Sequence, residues 1–160
     1  MATYELVSAR LRAATKLRRG AGATEGEVAS IERELGVQIL GGYRRFLVEF
    51  GFASVPSLGI YGVGGPKFLD VVVMTKSERQ EMAPPMPIDL IPFCADGGGN
   101  HHCIRCDGSP EPVVVFWSHD ARPEDAVDYE APSFAEWLNE KLDALHVDEK
   151  QGDSDARRPR

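Results

Sequence analysis

The chain reads as an α+β domain, with helices packed on a mainly antiparallel multi-stranded sheet. Three observations predict this class. Amphipathic helical patterns occupy the first fifty residues and the stretch just before residue 145. Short runs rich in β-branched and aromatic residues, bounded by Gly and Pro, fill the middle. Strand and helix do not alternate as a doubly wound parallel sheet requires.

The elements follow in order. Leu6, Val7, Leu11, Ala14 and Leu17 recur at helical spacing among Arg and Lys, which predicts a helix over 4–18 that stops at Gly20 and Gly22. In "TEGE", Thr24 stands as N-cap with Glu27 three residues on, a capping box. Val28, Ile31 and Leu35 then share one face and Gly36 ends that helix. A third helix over 42–50 places Tyr43, Phe46, Leu47 and Phe50 on one stripe, with Gly51 just past its end. "SLGIYGVGG" and "FLDVVVMT" read as strands, although the second could instead open a helix through "KSERQEM". "APPMPIDLIP" is extended or turn chain, and "LIPFCAD" leads from it into a glycine turn. "HHCIRC" and "VVVFWSH" read as two further strands joined by "DGSPEP". "APSFAEWLNEKLDAL" is the closing helix, Ser133 its N-cap and Glu136 at the third position, with Phe134, Trp137, Leu138, Leu142 and Leu145 turned inward. The polar stretch 146–160 lacks the apolar residues a packed segment needs and is expected to be a disordered tail.

With 160 residues, one domain is expected. No apolar run approaches the roughly 20 residues of a membrane span, and the first twenty residues carry no uninterrupted signal core, so a cytoplasmic protein is expected. Three cysteines, an odd number with two of them three residues apart, argue against a disulfide framework and fit a reducing compartment. The net charge of -7 repels a polyanion, which excludes nucleic acid as an expected partner and favours a basic protein.

The densest chemistry lies in "DGGGNHHCIRC", residues 96–106. His101, His102, Cys103, Cys106 and Cys94 carry zinc-ligand atoms, but on a strand Cys103 and Cys106 point to opposite faces, and no second C-x-x-C or H-x-x-H completes the set. A redox C-x-x-C belongs at a helix N-terminus after a strand, and that context is missing. A phosphate cradle needs a helix after the glycines, whereas a strand follows here. The preferred reading is a hairpin turn in which Gly97, Gly98, Gly99 and Asn100 tolerate positive φ and Asp96 bonds the turn backbone, with Asn100 and His102 at its edge able to touch a partner. No metal or cofactor is expected. Ser118, His119 and Asp120 are adjacent on a strand and point apart, so they make no catalytic set, and no enzyme is expected. In "HDARPEDAVDYE", Asp120, Glu124, Asp125, Asp128 and Glu130 face only Arg122. One reading is a solvated loop. The other is a surface for a basic partner, with Tyr129 as its aromatic anchor.

Beyond these features, "GATEGEVASIERELGVQILGGYRRFLVEFG" resembles the opening signature of the SMI1/KNR4 family of the SUKH superfamily, through Thr24, Glu27, Ile31, Glu32, Leu35, Gly36, Tyr43, Arg44, Phe46, Leu47 and Gly51. "GIYGVG", "DLIPFCADGGGN" and "APSFAEWL" resemble later parts of that pattern, so the likeness spans about residues 4–145. Two positions depart from it: Leu40 stands where the family usually has Pro, and the cysteine pair is foreign to the pattern. The resemblance implies a single SMI1/KNR4-like domain over 1–145 that acts as a bacterial immunity protein, monomeric or weakly dimeric, binding and blocking a cognate toxin, often a nuclease. A regulatory scaffold of the same fold is the second reading, and a small zinc-binding protein the third.

Overall fold

The structure is a computed structural model that describes residues 1–156, with side chains through 145. The disordered tail expected at 146–160 lies outside the residues described in full. Five helices and seven strands run in the order α1 (Tyr4–Arg12), β1 (Arg18–Arg19), α2 (Glu25–Leu35), α3 (Gly41–Phe50), β2 (Ala53–Val55), β3 (Leu58–Ile60), α4 (Val71–Gln80), β4 (Leu90–Ala95), β5 (His101–Arg105), β6 (Val114–Trp117), β7 (Val127–Ala131) and α5 (Phe134–Ala156). All strand pairs are antiparallel, in a three-stranded sheet β1-β2-β3 and a four-stranded sheet β4-β5-β6-β7. The Tyr61 N–H bonds the Phe93 carbonyl at 2.8 Å, so the chain leaving β3 covers the β4 edge of the larger sheet. The fold is the expected α+β class.

The helix starts follow their local chemistry. Thr24 Oγ1 accepts from the Glu27 N–H and Glu27 returns a carboxylate to the Thr24 N–H, both at 3.1 Å, which satisfies two otherwise orphan donors. Ser133 Oγ accepts from the Glu136 N–H at 3.1 Å at the head of α5. At α3 the cap is Leu40, which has nothing to offer; instead Glu111, brought in from the β5–β6 connection, accepts from the Gly42 N–H at 3.3 Å. Gly41 sits at φ +71°, and a Cβ there would stand 2.6 Å from the Glu111 carboxylate, so the glycine admits that distant cap.

One expectation is corrected and one open reading is settled. The first helix ends at Arg12, because the chain turns and Arg18 and Arg19 pair with Ser54 and Ala53 as an edge strand. "FLDVVVMT" takes the second of its two readings, opening a helix through "KSERQ" and not a strand: Asp70 accepts from the Val73 N–H at 2.9 Å and starts α4, which buries Val71 and Thr75 one turn apart. Its β-branched run is outweighed by that cap and by the buried stripe. The β2 strand and the strand inside the acidic stretch were not expected.

The main core gathers Val7, Val28, Ile31, Phe46, Leu47, Phe93, Trp137 and Leu138 with the other inward side chains of the helices. Tyr43, Phe93, Phe134 and Trp137 interlock, Phe93 meeting Trp137 edge-on at 4.7 Å, which clamps α3 and α5 onto one face of the four-stranded sheet. A smaller cluster of Met86, Leu90, Cys103, Val115, Trp117 and Ala126 lies on the opposite face.

Candidate partner-binding surface

The glycine stretch is a turn between β4 and β5. Asp96 Oδ1 accepts from the Gly98 and Asn100 N–H groups at 2.7 and 3.0 Å, while Gly97 and Gly99 take φ of +90° and +92°. Burial works against ionising Asp96, but those backbone donors outweigh it and hold its carboxyl below the usual range. Asn100 is only half-exposed because its amide works inside the protein: Nδ2 donates to Asp96, and Oδ1 accepts from the His119 backbone at 3.1 Å and lies 2.8 Å from His119 Nδ1. The turn is thereby tied to the start of the acidic stretch.

His102 does not stand at the edge of the turn as expected. It is buried on the α5 side of the sheet, its ring 5.1 Å from that of Trp137 and 5.2 Å from that of Phe116. Its Nδ1 lies 2.7 Å from Glu130 Oε1, so it reaches the surface only through that carboxylate. A backing bond of this kind fixes the glutamate's orientation. His101, one residue earlier, is 3% exposed and points the other way, with Nε2 3.1 Å from Tyr61 Oη and Nδ1 without a hydrogen-bond partner. Burial drives its pKa down to about 4, and it is neutral near pH 7.

The thiols divide between the two faces. Cys103 lies in the small cluster, while Cys94 and Cys106 pack against the main core. Burial pushes Cys94 and Cys106 up to about 12 and Cys103 well above its ordinary value, which disfavours the thiolate a metal or redox site uses. Among the described residues, no three His, Cys, Asp or Glu side chains are grouped to hold a metal ion.

The acidic stretch lies along the β7 margin of the larger sheet. Asp120, Glu124, Asp125 and Asp128 are exposed, Pro123–Asp125 forms a short 3-10 turn, and Val127–Ala131 is the last strand of the sheet. Arg122, its only cation, is held by Asp125 through Nε and Nη2 at 3.1 and 2.8 Å. Glu124 Oε1 also lies 3.6 Å from Arg122 Nε and Glu130 is bonded to His102, so among the described residues Asp120 and Asp128 are left as the unmatched charge. Tyr129 projects 66% exposed on the face opposite α5, beside the half-buried Val127. The structure thus brings the acidic residues and Tyr129 to one margin of the larger sheet, with Val127 and Tyr129 on the face opposite α5 and Asp128 and Glu130 on the α5 side. It places Asn100 behind the first residue of the stretch, and puts His102 beneath its last carboxylate. The internal pairs His101–Tyr61 and His102–Glu130 join residues 40 and 28 positions apart, which local sequence patterns do not reveal.

Compared with known families, the chain matches a family model described as SMI1-KNR4 cell-wall over residues 5–143. Comparison with curated proteins returned no match.

Proposed function

Because the chain belongs to the SMI1/KNR4 family of the SUKH superfamily, we propose that it is an immunity protein that binds and neutralises a cognate polymorphic toxin, without catalysis or cofactor. Members of this family are often immunity proteins. The observation that carries the proposal is the exposed acidic surface from Asp120 to Glu130 with Tyr129 projecting from its strand. Such a surface suits a basic partner: complementary charge speeds encounter, and a rigid ring that becomes buried supplies affinity. A toxin that cleaves nucleic acid needs a basic substrate-binding face, and an acidic protein can cover it. Among the described residues no helix is long and apolar enough to cross a membrane.

The test is inhibition. A toxin domain encoded beside this chain's gene is expected to lose its activity when mixed with one equivalent of the purified protein, and cells expressing both should survive where cells expressing the toxin alone do not. Undiminished toxin activity at saturating protein would sink the proposal and leave the regulatory-scaffold reading of the fold.

A further inference from the structure

We infer that the partner docks by adding an extended strand to the edge of β7, which no other strand pairs among the described residues, and that this added strand alternates basic and apolar residues. The inference rests on the reading of the acidic face as the binding surface. The four-stranded sheet has two edges. The β4 edge is covered from within by the Tyr61 N–H bond to Phe93, whereas β7 is the last strand on the other side. The phase of the β6–β7 ladder follows from the Ser118 N–H bond to the Ala126 carbonyl at 2.8 Å. Ser118 and Ala126 are therefore a hydrogen-bonded pair, as are Phe116 and Asp128 two residues along, while Trp117–Val127 and Val115–Tyr129 are not. The N–H and C=O groups of Val127 and Tyr129 consequently point away from the sheet, where an added strand finds them.

The side chains define what that strand must carry. Val127 and Tyr129 pair with Trp117 and Val115 and share their face, so apolar partner residues beside them extend the small cluster of the outer face. Asp128 turns to the other face beside Phe116, and Glu130 is held toward that side by His102. A partner residue opposite Asp128 sits in a non-hydrogen-bonded pair, where side chains approach most closely, and a lysine or arginine there gains the most. The same acids argue against a second copy of this chain: antiparallel pairing of two β7 strands about Asp128 sets like charges directly opposite each other.

The experiment uses a blocked seven-residue peptide alternating lysine and valine, in two N-methylated forms of equal charge. If the valines lie beside Val127 and Tyr129, their amides face β7 and the lysine amides face outward. The lysine-methylated peptide is expected to bind the full chain and to slow hydrogen exchange at the Val127 and Tyr129 amides. The valine-methylated peptide should bind at least ~10-fold more weakly, the equivalent of one or two lost hydrogen bonds. In Asp128→Asn the lysine-methylated peptide should bind about 3-fold more weakly, as one cross-strand ion pair allows. Equal binding of the two forms overturns strand addition while leaving the acidic face intact as a charge-driven surface. No binding of the lysine-methylated peptide at millimolar concentration also overturns strand addition. Exchange protection of those amides that rises with protein concentration in the absence of peptide puts a second copy on the edge, and overturns it as well.

Discussion

His101 is a base enclosed among apolar neighbours, 3% exposed, with one ring nitrogen against Tyr61 and the other unpartnered. Burial is the main cause that lowers its pKa to about 4, and the charges of His102 and His119 act in the same direction against that of Asp96. A base depressed in the folded state binds a proton first in the unfolded state, so stability falls as pH drops from about 6.5 towards 4. The slope assignable to one such group is at most about 1.4 kcal/mol per pH unit. Urea unfolding at pH 7, 6 and 5 is expected to show that decline in the parent and a shallower one in His101→Gln; parallel declines in both proteins would remove His101 as the cause. At this scale the sequence was only partly informative. It marked Asp96 and the glycines that share its turn, because that chemistry is local. It set His102 at an exposed edge because nothing local announces that Trp137 and Phe116 close over the ring.

At the scale of elements, the start of α3 depends on a residue from another part of the chain. Leu40 supplies no side-chain cap, and Glu111, 69 positions on from Gly42, bonds its N–H instead. Removing a helix cap costs typically about 1 kcal/mol, and Glu111→Ala is expected to lose on that order in chemical denaturation. Glu111→Gln, which keeps an acceptor, should lose less. Equal stability of parent and both variants would mean that water caps α3 as well as the carboxylate does. Caps were legible in the sequence where a Ser or Thr stood three residues before a Glu, as at Thr24 and Ser133, and not at Thr3 or Asp70, where no such acid follows. "FLDVVVMT" is ambiguous between strand and helix because its β-branched run favours one and Asp70, whose side chain caps α4, favours the other; the cap prevails. The acidic stretch concealed β7 for a related reason: its strand is amphipathic only weakly, with Asp128 and Tyr129 both exposed, so the period-two signal is faint.

Across the whole molecule, the interlocked rings of Tyr43, Phe93, Phe134 and Trp137 hold α3 and α5 to one face of the larger sheet. That rigid support presents β7, at the sheet's margin, with its acids and Tyr129 facing outward. The central claim is that this surface receives a basic toxin, and the most direct measurement is the binding kinetics of a toxin domain encoded beside this gene, at two salt concentrations. Neutralising Asp125 and Asp128 to Asn is expected to slow association and flatten its salt dependence, because exposed charges act chiefly on encounter. Tyr129→Ala is expected to speed dissociation and cost more than about 1 kcal/mol, as loss of a buried aromatic anchor does. Parent-like association and dissociation rates for all of these variants at both salt concentrations would contradict the claim and place the interface on another face of the domain.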